Sequence, residues 1–394
     1  MLDNIILALP SLCMFFWFTV LVLNIKKSTR SNKILTILSF FASIFFYIQT
    51  TFLTGKINFR LDLIDPFISL SCMPLMCLYF KSLTNNSQFK WNDYLIFMPT
   101  FIIGLGTVLL FTIAGEHNIL NFYKEYLQNN LSESELIKDP LYKTIYYFCF
   151  KTYNLVLILQ IISTVIYTNI RVYKYHNKLR NYYSSLEDKS IKLNLYILIC
   201  ANIALIFPLI YILTTRVFWL KYHDYTLIFI FLWTIPYFIW GFLANKIHYS
   251  VENFDNDISQ NNGYYTEIDN MLINKKEIKI CNMDNQLKER LISLMDDDKV
   301  FLKSSLRIDD VAQMLCSNRT YISQIINKEY DCNFSEFINK YRVEYSKNII
   351  FSNPEISIDE LIIECGFIST SSFYRVFKKH IGCTPKEWLK SIKT

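Results

Sequence analysis

Apolar positions are arranged in two different ways along the chain. Up to Asn245 they come in long blocks with few charges. Beyond it they recur every three or four residues among polar ones. A helix crossing the hydrocarbon core of a bilayer needs about 20 mostly apolar residues. Asn4–Ile25 meets that length without a single charge. So do, approximately, Ile34–Thr54, Leu61–Phe80, Tyr94–Ala114, Thr144–Ile170, Leu195–Thr215 and Tyr225–Asn245. Seven such blocks argue against the buried helices of a soluble protein. The first does not read as a secretory signal, because no basic residue precedes it and no small-residue cleavage site follows.

From Lys246 to Met283 the chain is polar and rich in Asn, Asp and Lys, the composition of a linker, with a short strand or helix near Met271–Ile280. A helical period then returns at Gln286–Asp298, with Leu287, Leu291, Leu294 and Met295 on one face. Ile308, Val311, Ala312 and Leu315 form the next apolar face. Ser317–Asn318 interrupts it and supplies N-cap chemistry, and Ile322, Ile325 and Ile326 resume it. Helix, short turn, helix is the helix-turn-helix layout. Asn333–Glu336 reads as a capping box opening a long helix from Phe334 to about Ser352.

The pattern then repeats. Ser357–Glu360 is another capping box, Leu361 and Cys365 are core positions, Gly366 breaks the helix and Ser369 caps the next. Phe373, Val376 and Phe377 point inward. Thr384-Pro385-Lys386-Glu387 combines a capping Thr, Pro at the first helical position and Glu at the third. Trp388 and Leu389 pack back on the core. The expected architecture is all-α: a seven-helix transmembrane bundle (1–245), a polar linker (246–283) and a double helix-turn-helix domain (284–394). The long helix of about 19 residues would span ~28 Å. That is near the ~34 Å between successive major-groove faces on one side of DNA.

Charge adds a direction. Cytoplasmic loops carry an excess of Lys and Arg. Lys26, Lys27, Arg30 and Lys33 follow the first block, Lys81 and Lys90 the third, and Arg171, Lys174, Lys178, Arg180, Lys189 and Lys192 the fifth. The alternate loops carry Lys56 and Arg60, then Lys124, Lys138 and Lys143, then Arg216 and Lys221. Twelve stand against seven. The N-terminus is then outside and, after seven crossings, the C-terminal domain lies in the cytosol. From Asp284 onward, sixteen Lys/Arg balance sixteen Asp/Glu. That weighs against strong non-specific DNA binding, although Arg375, Lys378, Lys379, Lys386, Lys390 and Lys393 make the C-terminus locally basic.

Catalytic and metal chemistry leave no trace. The ten Cys form no CxxC pair, the five His are isolated, and no nucleophile–base set or phosphate-cradling Gly loop is evident. No catalytic residue, metal or cofactor is expected. Two charges fall inside apolar blocks, Asp65 and Lys151, at similar depth in the outer half of the membrane. Intramembrane charges pair or mark a functional pocket, or they snorkel to the surface. With Asn154 they form a candidate sensor pocket. Gln160 and Asn202 either line the same interior or act as interhelical glue. The external loop Gly115–Pro140, with Glu116, His117, Tyr123, Glu125, Glu133, Glu135 and Asp139, is either a ligand contact or a solvated loop.

Leu306–Ser391 resembles the DNA-binding domain of the AraC/XylS family of bacterial transcription regulators. GFISTSSFYRVFKKHIGCTP is similar to the family signature, with Gly366, Phe367, Ser369, Phe373, Arg375, Phe377, Lys378, Gly382, Thr384 and Pro385 in place. NRTYISQIIN and FINKYRVEYSKNII resemble the version found in membrane-tethered members from Bacteroides-like bacteria. Arg307, Ile362 and Asp331-Cys332 depart from it, replacing a capping Ser or Thr, a customary Ala and a Gly-containing turn. Opposite the apolar face of the first reading helix lie Arg319, Thr320, Ser323, Gln324 and Asn327. In the second, Thr370, Ser371, Ser372, Arg375 and Lys379 are exposed. Arg suits guanine, and Gln or Asn suits adenine, in the major groove. Lys378 and Lys379 suit phosphates, which position without specifying.

The expected protein is a regulator in the bacterial inner (cytoplasmic) membrane, surrounded by lipid. It would bind double-stranded promoter DNA as a homodimer under control of an unknown ligand or envelope signal. Two rival readings stay open: a transporter or enzyme with an attached regulatory domain, and a helix-turn-helix module that binds a protein.

Overall fold

The computed structural model describes residues 2–54, 59–125, 138–186, 191–214, 216–246, 251, 253–258 and 280–393. Glu133, Glu135, Lys56, Lys189 and the short element expected near Met271–Ile280, except for Ile280 itself, lie outside them. The described chain is helical throughout, with no strand among its elements. It divides into two compact units, Met1–Val172 with Leu193–Val251, and Tyr173–Lys192 with Glu252–Thr394.

The first unit is built from α1 (Leu2–Leu23), α2 (Arg30–Leu53), α3 (Phe59–Thr84), α4 (Met98–Ala114), α5 (Tyr153–Tyr182, whose last turns belong to the second unit), α6 (Ile191–Leu213) and α7 (His223–Asn245). All seven expected apolar blocks are helices long and apolar enough to cross a membrane. α1 packs against α2 and α7, α2 against α3, and α3 against α4. Leu35, Leu38, Leu70, Tyr79, Ile161 and Ala201 fill the interior. Outward-facing positions are apolar too: Phe15, Leu105, Ile113, Leu159 and Ile166 are exposed. Monomeric soluble proteins seldom show so extended an apolar surface.

Two segments differ from expectation. In the loop after α4, Glu116–Tyr123 is a helix that buries Ile119, Phe122 and Tyr123. Tyr123 therefore joins the core rather than facing solvent, because its ring packs at 5.7 Å from that of Phe122. Asp139 caps Pro140–Tyr146, its Oδ1 accepting from the Leu141 N–H at 2.8 Å. Second, the fifth block does not stop near Ile170. Its helix continues to Tyr182 through the basic segment read as a loop. Val172, Tyr175, Leu179 and Tyr182 recur at helical spacing and are all buried, which gives the extension a core-facing stripe.

The second unit contains α8 (Ile280–Asp296), α9 (Ile308–Met314), α10 (Arg319–Tyr330), α11 (Phe334–Ser352), α12 (Ile358–Glu364), α13 (Thr370–Ile381) and α14 (Pro385–Lys393). α8 starts earlier than its apolar face suggested, and Lys288 ties it to α10 through Glu329. A 3-10 turn, Val300–Leu302, precedes α9. α11 has the expected bounds and joins two helix-turn-helix pairs.

Candidate nucleic-acid interface

Each pair is set by local chemistry. In the first, Ile308, Val311, Ala312 and Leu315 are buried, and the Arg307 N–H donates to Asp310 Oδ2 at 3.0 Å. Cys316 turns the chain with φ +48°. Asn318 Oδ1 then accepts from the N–H groups of Thr320 (3.0 Å) and Tyr321 (3.1 Å), which starts α10. In the second, Ser357 and Glu360 cap α12 reciprocally at 3.2 and 3.3 Å. Gly366 makes the turn at φ +73°. Ser369 Oγ accepts from the Ser372 N–H at 3.2 Å and starts α13. Thr384 and Glu387 close the expected box at α14, and Trp388 lies 5.8 Å from Phe377.

Helices α10 and α13 share one register. Ile322, Ile325 and Ile326 are buried in α10, and Phe373, Val376 and Phe377 at the same offsets in α13. Thr320, Gln324 and Asn327 are exposed on α10, with Arg319 and Ser323 half-buried. Thr370, Ser371, Arg375, Lys378 and Lys379 are exposed on α13, with Ser372 half-buried. By this register Gln324 and Arg375 are equivalent positions. Both carry side chains that make bidentate contacts to base edges. The faces are held apart by the 19 residues of α11, roughly 28 Å of helix.

Two details escaped the sequence. At α11, Asn333 Oδ1 accepts from the Glu336 N–H at 3.0 Å, which is half of the expected capping box. The Glu336 carboxylate instead meets Lys379 Nζ at 2.6 Å. A charged partner outcompetes a backbone N–H for a carboxylate, and Lys379 holds that carboxyl below the usual range. Lys379 thus braces α13 against α11 from the exposed side of α13. The second detail is Arg342 of α11, only 1% exposed. Its Nε donates to the Phe301 carbonyl at 2.7 Å and its Nη2 to that of Lys303 at 2.8 Å. Burial pushes its pKa down to about 10. An Arg following Tyr341 in an amphipathic helix carries no local sign of burial.

The other predicted residues lie in the first unit. Lys151 sits on a π-helical turn, Tyr147–Thr152, just before α5. Such turns are frequent at functional sites. Lys151, Asn154, Gln49, Tyr211 and Trp233 line a cavity of about 210 Å³, where Tyr211 Oη donates to Gln49 Oε1 at 3.0 Å. Asp65 is buried and lines a smaller cavity with Thr107, Tyr123 and Tyr153. Lys151 and Asn154 thus share one cavity, and Asp65 borders another, with Phe150 and Tyr153 on both walls. Among the described residues no cluster of His, Cys, Asp or Glu could hold a metal ion.

A family described as a helix-turn-helix domain matches residues 311–391. That segment is an AraC-type helix-turn-helix domain. This chain is 32% identical over 90 residues to the Msm operon regulatory protein of Streptococcus mutans, an alignment covering 23% of this chain and 32% of that one. It is 28% identical over 86 residues to the melibiose operon regulatory protein of Escherichia coli, covering 22% and 28%. The HTH-type transcriptional regulator YdeO of Escherichia coli is 28% identical over 87 residues, covering 22% and 33%. The chain thus spans about a third or less of these curated relatives. No solved structure matches it significantly. The AraC-type relatives are transcription regulators, not enzymes, and they support a DNA-binding regulatory role for this segment.

Proposed function

We propose that the chain is a membrane-embedded transcription regulator. Its AraC-type domain reads promoter DNA with α10 and α13 in successive major-groove faces, under control of a signal received by the seven-helix unit. The observation that carries the reading is the shared register of two polar faces on either side of α11. Embedding is supported by seven helices of membrane-crossing length whose outward side chains are apolar. The excess of Lys and Arg favours a cytosolic C-terminus. The cavity lined by Lys151, Asn154 and Gln49 is the sensor pocket of this reading, with Asp65 contributing from the adjoining cavity. Its mixed aromatic and polar walls suit a small amphipathic ligand.

The test is selection of duplexes from a random-sequence pool by the full-length protein in lipid nanodiscs. Arg319→Ala, Gln324→Ala and Arg375→Ala should each weaken the selected complex, Gln324→Ala and Arg375→Ala by about 1–3 kcal/mol while relaxing one base position. Lys378→Ala should weaken all sequences alike and lower the salt slope by roughly 1. Affinity left unchanged and insensitive to salt in all four variants would count against the reading.

A further inference from the structure

We propose that the end of α5 and the helical residues 253–258 form an internal clamp over the reading face of α10. This conformation is then closed to DNA and opens when α5 withdraws. The inference rests on the DNA-reading role given to α10 above.

The clamp stands where a duplex would have to be. Lys178, Asn181 and Tyr182 of α5, with Phe254 and Ile258, face Arg319, Thr320, Ser323 and Gln324 across a cleft of about 270 Å³. A helix with its side chains is about 10–12 Å across, and the major groove is about 12 Å wide. A reading helix fills that groove. No second segment can lie against its reading face at the same time, so clamp and DNA exclude each other there.

The contact is built rather than grazing. Tyr182 Oη donates to Asp309 Oδ2 at 2.6 Å, and Asp309, in the first turn of α9, is 3% exposed. Tyr183 Oη donates to the Asp257 carboxylate, which also pairs with Arg307 at 3.7 Å. The Ser184 N–H donates to the Leu306 carbonyl at 3.0 Å, and Ser335 Oγ donates to the Ser184 carbonyl at 2.9 Å. Phe254, 1% exposed, seals the group with its ring 5.2 Å from Tyr182 and 5.9 Å from Tyr183.

Two features mark the arrangement as a closed state that can be reopened. Arg319 Nη1 is enclosed with no hydrogen-bond partner among the described residues. An unmet buried donor is costly, and DNA offers it phosphate and guanine acceptors. Around α13, Arg180 of α5 and Lys192 of α6 lie on one cleft with Arg375, Lys379 and the Glu336 that pairs with Lys379. The bonds of Tyr182 and of the Ser184 N–H instead run to Asp309 and Leu306, beside the first pair. Closure therefore acts on the first reading helix. The device has an input as well: α5 also carries Asn154 and Leu157, which line the larger cavity of the first unit.

The clamp is tested on the full-length protein in nanodiscs with a random-sequence duplex pool. Phe254→Glu should retain about tenfold more DNA than wild type, within the usual range of coupling between sites. Asp257→Asn and Tyr182→Phe, which keep side-chain size, should gain less in the same direction. Adding Gln324→Ala to Phe254→Glu should cancel the gain, because the released face is the one that binds. If all three variants melt like wild type and bind the pool no better, the clamp is wrong while DNA reading stands. If neither wild type nor any variant retains a duplex, the DNA-reading role itself fails and the clamp falls with it.

Discussion

Gly366→Ala will unfold the second helix-turn-helix pair under conditions where wild type is native, and DNA binding will be lost with it. Gly366 has φ +73°, and a Cβ added there would lie 2.3 Å from the Leu302 carbonyl oxygen and 2.7 Å from its carbon. Both atoms are backbone, in the turn ahead of α9, so neither can swing aside. Forcing a non-glycine residue into the left-handed region costs on the order of 1–3 kcal/mol. The clash comes on top of that, against a total stability of only about 5–15 kcal/mol for a domain. Gly382 provides the control. It closes α13 at φ +90° with nothing within 4 Å of an added Cβ, so Gly382→Ala bears the backbone strain alone. Hydrogen-exchange protection of α12 and α13 separates the two. Equal losses in both variants would mean that the approach to Leu302 is not what requires glycine.

Arg342→Met removes the other constraint on that turn. The guanidinium holds the carbonyls of Phe301 and Lys303 from inside the domain, and Phe301 stacks 5.6 Å from Tyr341. Methionine fills much of the volume but takes the Arg342 donor from the Phe301 carbonyl, while the Lys303 carbonyl keeps the Leu306 N–H at 3.1 Å; an unmet buried acceptor costs roughly 1–3 kcal/mol. The denaturation midpoint of the second unit should fall by an amount equivalent to on the order of 1–3 kcal/mol. Arg342→Lys should recover only part of this, since a point charge cannot reproduce a planar fork. A methionine variant as stable as wild type would show that the buried charge is dispensable, as some buried ionic groups are.

Much of this molecule is legible in its sequence. Apolar block length located all seven long helices, because length and composition are what a bilayer selects. Caps located the second unit: Asn318, Ser357, Ser369 and Thr384 all accept the backbone hydrogen bonds their types suggested. The α11 bounds followed from Asn333 at one end and the approach of Pro354 at the other. What stayed hidden depends on partners distant in sequence. Glu336 leaves half its box for Lys379, and Arg342 is buried by a turn some forty residues upstream. The α5 extension was half visible. Its basic residues matched a cytoplasmic loop, while Val172, Tyr175, Leu179 and Tyr182 kept a helical stripe through the same stretch. Charge and periodicity disagreed there, and the buried aromatic face decided the structure.

The unbroken run of α5 also sets a rotational phase. From Tyr153 to Tyr182 it is a single 30-residue α-helix, and each residue turns the axis by roughly 100°. Within the second unit, one residue added or removed between Tyr175 and Tyr182 would swing the Tyr182 hydroxyl away from Asp309 toward another side of the helix. Seven added residues, close to two full turns, would restore its direction but carry it about 10 Å along the axis. Both the length and the phase of the last turns of α5 are therefore fixed by the hydroxyl at their end.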